Sequence, residues 1–317
     1  MTLQQRIREV MQKPTTVATK FFELINECQL TQNDAANVLG IPYRTMLTIG
    51  GTSRTTSPRQ RTVSHESLNL NFTFGVEIES LSPFSREQLA EQISSVVSCQ
   101  SEGYNHTDHT DGVYKIVRDG SLRGEGRCDT SAEVVTPVLR EFDTLKKVVK
   151  KMNEVGCKVN SSCGLHVHIG ASDLTFEQYK NVFINYARME RVIDSFMAQS
   201  RRGNGNCYCY SLIENNRLEK ILAATSHQDL YSRLNSRYFK VNPASYGVHK
   251  TIEFRQHQGS LNFTKIKNWV NFCKKLVAWS KNHVLANCIT EINEIPFLSA
   301  TEKAFFERRK NEFANNN

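Results

Sequence analysis

No apolar run in this 317-residue chain approaches the roughly 18 residues of a membrane span. The opening residues, Met1-Thr2-Leu3-Gln4-Gln5-Arg6-Ile7-Arg8, lack the apolar stretch of a signal peptide. Together these absences predict a cytoplasmic protein with no membrane partner. No Cys-x-x-Cys spacing occurs, and the nine cysteines are odd in number and scattered. Reduced thiols are therefore expected, rather than a disulfide framework or a structural zinc site. The glycine-rich phosphate loop of P-loop ATPases is missing, as is any convincing Ser-His-Asp or Cys-His arrangement. There is no internal repeat. The net charge of +8 favours a polyanionic partner, nucleotide or nucleic acid, without choosing between them. The basic residues are spread rather than blocked.

What the chain does have is three short segments in which apolar residues alternate with chemical ones. They are Phe74-Gly75-Val76-Glu77-Ile78-Glu79, Cys163-Gly164-Leu165-His166-Val167-His168-Ile169-Gly170 and Thr251-Ile252-Glu253-Phe254-Arg255-Gln256-His257. Side chains alternate across a strand. Glu77 with Glu79, His166 with His168, and Glu253 with Arg255 and His257 are each predicted to share one face, with the apolar partners turned into a core. Those faces brought together would hold carboxylates, imidazoles and a guanidinium. Carboxylate oxygens suit Mg²⁺ or Mn²⁺, and an imidazole shifts the choice toward Mn²⁺; an arginine two residues from a metal carboxylate can grip a phosphate bidentately. The competing reading is an amphipathic sheet with a solvated polar face, in which Glu253 and Arg255 form a structural ion pair.

Three regions follow from the composition. Residues 1–50 read as a helical module, 51–69 as a basic flexible linker rich in Gly, Ser, Thr and Arg, and 70–317 as the main domain. Within the first, residues 31–49 resemble a helix-turn-helix. Thr31 would cap the first helix, Gly40 would permit the turn, and Tyr43, Arg44 and Thr45 would begin a recognition helix that could contact DNA. A helical module for protein contacts is the alternative. Beyond residue 70, strands are expected over 70–78, 114–118 and 132–136. Helices are expected over 85–97, with a Ser85/Gln88 capping box, and over 139–155, 175–197 (capped by Ser172 or Asp173), 218–226 and 263–285. Because the chemical residues lie inside strands, whereas parallel α/β sheets bind ligands beyond strand ends, the expected class is α+β. A largely antiparallel sheet would have helices on one face and an open cleft on the other.

An ordered series of motifs resembles the amidoligase family, carboxylate-amine ligases related to glutamine synthetase and glutamate-cysteine ligase. It runs from Phe74-Gly75-Val76-Glu77-Ile78-Glu79 through Asp119-Gly120-Ser121-Leu122 with Ala132-Glu133-Val134-Val135-Thr136-Pro137, and on to Cys163-Gly164-Leu165-His166-Val167-His168. Arg201-Arg202-Gly203-Asn204 with Tyr208-Cys209, Arg237-Tyr238 with Asn242, and Thr251-Ile252-Glu253-Phe254-Arg255 complete it. The resemblance implies a glutamine synthetase-type sheet, ATP and Mg²⁺ or Mn²⁺ as cofactors, and small-molecule or peptide carboxylate and amine substrates. It implies Glu79 and Glu133 at one metal, and Glu77, His166 and Glu253 around a second. His168 would face nucleotide phosphate together with Arg201 and Arg255. Arg255, with one of Arg201, Arg202 or Arg237, would neutralise the transferred phosphoryl group. Lys250 and Pro243 depart from the family's usual residues, outside the ligand positions.

A carboxylate resists amines because its leaving group would be oxide, so phosphorylation to an acyl phosphate precedes amide formation in the implied chemistry. Two other functions fit the same motifs: a phosphotransferase of this fold, and a DNA-binding regulator whose main domain senses a nucleotide or is inactive. Asp119 at Asp-Gly reads equally as the cap of a turn, and the histidines and aspartates of residues 106–111 read as a loop more than a metal site.

Overall fold

Phe74, Val76 and Ile78 point one way and Gly75, Glu77 and Glu79 the other, and in the computed structural model this segment is the middle strand of a seven-stranded sheet. The structure describes residues 2–14, 20, 23–24, 28, 35, 38–40, 68–102, 109–124, 126, 128 and 130–315. The chain divides into two units, Met1–His65 and Glu66–Asn317.

In the first unit, α1 (Leu3–Gln12) begins with a reciprocal cap. The Gln5 amide donates to Thr2 Oγ1, and the Thr2 amide donates to Gln5 Oε1. Val10, Leu24, Cys28 and Ala35 form a small apolar cluster. Of the helix-turn-helix reading over residues 31–49, only Ala35, Val38, Leu39 and Gly40 fall within the described residues. Tyr43, Arg44 and Thr45 lie outside them, as do residues 51–67 of the linker expected over 51–69.

The second unit runs β1 (Phe74–Ser82), α2 (Arg86–Ser94), β2 (Cys99–Ser101), β3 (Tyr114–Val117), β4 (Thr130–Val135), α3 (Asp143–Glu154), β5 (Gly164–Gly170) and α4 (Phe176–Ser195). It continues with α5 (Arg217–Leu222), α6 (His227–Leu234), β6 (Val241–Asn242), α7 (Ser245–His249), β7 (Thr251–Gln258), α8 (Phe263–Ser280) and α9 (Ala300–Ala314). The strand order is β2-β3-β4-β1-β5-β7-β6, and every pairing is antiparallel except β2 with β3. The fold is α+β. Leu165, Val167 and Ile169 of β5 and Ile252 and Phe254 of β7 join the apolar residues of β1 in one core, which α2, α3, α4 and α8 complete with Leu89, Val148, Tyr186 and Val270. No helix among the described residues is long and apolar enough to cross a membrane, and all nine cysteines are free.

Helix starts follow local chemistry. Ser85 and Gln88 form the expected capping box of α2. For α4 the cap is Thr175, paired with Gln178, and neither Ser172 nor Asp173 serves; Asp173 instead accepts from Lys281 Nζ at 2.7 Å. Replacing Thr175 with alanine is expected to cost about 1 kcal/mol. Urea unfolding checks this, and an unchanged midpoint would show the cap to be idle.

One facing expectation fails. Val167 pairs with Phe254 but Leu165 pairs with His257, so two residues of β7, Arg255 and Gln256, stand opposite His166 alone. This bulge flips the alternation. His257 shares the core face with Leu165, its ring 5.5 Å from that of Trp269, instead of joining Glu253 and Arg255. Burial, with Arg309 and Arg201 adding to it, pushes its pKa down to about 3, although the hydrogen bond to the Gln258 carbonyl opposes this. A histidine held neutral when folded but titrating near 6.5 when unfolded supports the fold fully above that pH and withdraws its support as pH falls toward about 3. His257→Gln is expected to flatten the acid side of the stability profile across that window. Equal slopes in urea melts of the two proteins would refute it.

Candidate metal centre on the polar face of the sheet

The register of β1, β5 and β7 decides which polar side chains meet. Glu77 lies opposite His166, His168 opposite Glu253, and Glu253 opposite Asn242 of β6. Across β1 on the other side, Glu79 lies opposite Glu133 of β4. Since paired residues share a face, all of these project away from α2, α3, α4 and α8, which cover the apolar face. Glu77, His166 and Glu253 each offer a ligand atom within 4.8 Å of the others, and they are the one such metal-ligand group among the described residues. Two carboxylates and an imidazole suit Mn²⁺ or Mg²⁺ with further positions for water or phosphate.

The individual contacts explain how each group is held. His166 Nδ1 is 2.8 Å from Glu77 Oε2, and its Nε2 is 3.2 Å from Glu79 Oε1. Glu79 also accepts the Gly164 amide hydrogen. Glu253 is fixed from two sides, by Arg255 Nη1 on Oε1 and by Asn242 Nδ2 on Oε2. Burial works against charge on Glu77, yet hydrogen bonds from His166 and His168 hold its carboxyl well below the usual carboxylate range. The same opposition, with Arg255 and then His168 prevailing, lowers Glu253. Glu133 goes the other way. Burial and the nearby charges of Glu77, Glu79 and Asp119 push its pKa well up, as expected for a carboxyl crowded by like charges.

His168 has both nitrogens engaged by protein atoms. Its Nδ1 is 2.9 Å from Thr251 Oγ1, its Nε2 is 3.1 Å from Glu77 Oε1, and Ser245 Oγ lies 2.7 Å from Thr251 Oγ1. The chain Ser245, Thr251, His168, Glu77 orients the candidate metal carboxylate, a role that outer partners of metal sites commonly fill.

The four arginines are placed very differently. Arg255 is buried beside Glu253, with its Nε donating to the Tyr208 carbonyl and its guanidinium 5.7 Å from the Tyr238 ring. Arg237 packs on the same Tyr238 ring at 5.1 Å, so it stands at the edge of this end of the site. Arg201 is buried against Gly164, where an added Cβ would lie 2.8 Å from its Nη2. It has no carboxylate partner among the described residues, and its Nε is without a hydrogen bond. Arg202 is not brought to the site. Its Nε donates to the Met197 carbonyl, and its guanidinium lies over Phe313 of α9. Asp119 accepts the Ser121 amide hydrogen at 2.6 Å, an Asx turn.

Sequence reasoning assigned no role to Asn242, Thr251 or Ser245. Asn242 and Thr251 stood inside the ordered motifs, so their positions were visible although their contacts were not.

With this geometry in view, residues 70–277 match the family model described as "Putative amidoligase enzyme". No curated protein matches the chain.

Proposed function

Because the chain belongs to the amidoligase family of amide-bond-forming enzymes, we propose that it joins a carboxylate to an amine at the expense of ATP, through an acyl phosphate, on a sheet of the glutamine synthetase type. The observation that carries this reading is the Glu77, His166 and Glu253 group with Arg255 locked to Glu253. It sets anionic metal ligands and a buried guanidinium on one surface. A divalent ion held there would supply charge neutralisation for phosphoryl transfer. The residues of the chain do the rest.

Arg255, already oriented by Glu253 and the Tyr208 carbonyl, presents its remaining N–H groups to a phosphoryl oxygen. Arg201, a buried guanidinium without a carboxylate partner among the described residues, provides a second cation for the same charge. Glu79, tied to the Gly164 amide, keeps His166 oriented. His168 keeps Glu77 oriented. No side-chain nucleophile is needed, which agrees with thiols that burial drives away from ionisation, Cys157 up to about 11 and Cys99 up to about 12.

The test is ADP release from ATP by the full chain with Mg²⁺ or Mn²⁺ and pooled carboxylates and amines, with mass spectrometry of the products. Metal-dependent ADP together with a new amide is expected, and both should be lost in Glu77→Ala. A stable phosphorylated product with no amide would instead identify a phosphotransferase.

A further inference from the structure

Beside the metal group, and sharing Glu77 with it, lies a cavity of about 240 Å³ at the end of the polar face away from Arg255. Glu77 is the one residue common to both, so whatever enters the cavity meets the reacting centre there. Its walls are mainly apolar, with Val135, Pro137 and Val138 on one side and the bare backbone of Gly75 on the sheet. Three imidazoles close it: His249 stands edge-on to His168 at 5.8 Å and to His109 at 5.7 Å. Among its described lining residues there is one carboxylate, Glu77, and neither lysine nor arginine.

We propose that this cavity is the acceptor pocket of the ligase and selects a compact primary amine with an apolar body and no carboxylate beside its nitrogen; this rests on the ligase reading above. Size supports it. The volume exceeds the roughly 150 Å³ that encloses benzene but is small for a nucleotide. Charge supports it as well, because an ammonium entering between apolar walls gains the Glu77 carboxylate. A carboxylate at that point would be desolvated beside a like charge, with no guanidinium or ammonium among the described lining residues to pair with. The guanidiniums of Arg255 and Arg201 stand outside the cavity lining, which leaves the phosphorylated donor to the cationic end.

In the step this serves, the acyl phosphate and the ammonium give amide, hydrogen phosphate and one proton. The ammonium first gives up one proton, and the freed nitrogen lone pair forms the C–N bond as the acyl C–O bond to phosphate breaks. Of the two protons lost by nitrogen, one leaves with the phosphate and one passes to solvent.

Gly75 sets the depth of the pocket. An added Cβ would meet Thr136 Oγ1 at 3.7 Å and His168 Cβ at 3.8 Å, ordinary contact that a strand tolerates, so alanine at 75 fills space without forcing the sheet apart.

Binding is measured by calorimetry with the full chain, using isopentylamine, leucine (the same body with a carboxylate), isopentanol (a hydroxyl in place of the amine) and adenosine as probes. The amine is expected to bind at least about tenfold more tightly than leucine or isopentanol. Gly75→Ala is expected to weaken it several-fold, and Val138→Phe, at a half-exposed rim position, to do so without altering β1. Thermal unfolding checks that each variant folds. Equal binding of leucine, displacement of the amine by adenosine, or amine binding unchanged in both variants would overturn the proposal. Amine binding without ADP or amide formation from any carboxylate would remove the ligase reading, and the acceptor role with it. ADP and amide formed only with amino-acid acceptors would overturn the pocket proposal and leave the ligase reading standing.

Discussion

Glu253→Gln is expected to lower metal-dependent turnover by about 10² to 10³-fold, the several kcal/mol that charge stabilisation at such a centre supplies. The substitution is nearly isosteric, but it removes one anionic ligand from the group formed with Glu77 and His166. It also disturbs the supports. Glu253 accepts from Arg255 on one oxygen and from Asn242 on the other, so an amide must turn its NH₂ toward one of two donors. Either way a contact becomes repulsive. Mn²⁺ affinity, read by electron paramagnetic resonance, should fall together with ADP release. Asn242→Ala, which leaves the charge in place and removes only the anchor, should cost about 10 to 100-fold, the usual range for outer partners of metal ligands. Unchanged Mn²⁺ affinity in Glu253→Gln would remove Glu253 from the metal group.

The second large effect is on stability. Lys240 is fully buried, with Nζ 2.9 Å from Glu190 Oε1 and 2.6 Å from Asp194 Oδ1. The two carboxylates have further duties. Glu190 accepts the Leu212 amide, Asp194 accepts the Gly203 amide, and Gln256 donates both to Asp194 and to the Arg201 carbonyl. The network therefore ties α4 and β7 to the loop that carries Arg201. Lys240→Met would strand the buried Glu190 carboxylate and leave the partly buried Asp194 without its cation, and is expected to destabilise the fold by about 3 to 5 kcal/mol. At the entropy of unfolding of a unit this size, that lowers the melting temperature by on the order of 10 °C. Combining it with Glu190→Leu and Asp194→Asn removes the stranded charges and should recover part of the loss. A loss below about 1 kcal/mol for the single variant would show that water reaches the pair.

How much of this was legible in the chain depends on the range of the interaction. Glu77, Glu79, His166, His168, Glu253 and Arg255 could be placed on one face because the strand's two-residue period is set by local geometry. His257 could not, because the bulge that turns it over is a property of the β5 and β7 pairing, and nothing within the segment encodes it. The adjacent arginines show the same limit. Arg201 and Arg202 are equivalent in sequence, but the turn that presents one to Gly164 sends the other to Phe313 of α9, more than a hundred residues later. The Thr175 cap is a different kind of omission, since Thr175-Phe176-Glu177-Gln178 carries the capping-box spacing in plain view. Strand β6, only two residues long, offers too few positions for any period to register, yet it supplies Asn242.

The three proposed metal ligands come from β1, β5 and β7, consecutive in the sheet, and β1 and β5 are flanked on both sides. Amide hydrogens of β1 and β5 should then exchange with solvent only when the whole unit opens, whereas those of β2 and β6, at the two edges, should exchange by fraying. A ligand that bridges β1, β5 and β7 binds while those strands stay paired, whether or not the edges fray, and not once the unit has opened. Its full binding free energy is added to the protection of the central strands, so slowed exchange in β1 and β5 on titration would report occupancy of the site before any substrate is known.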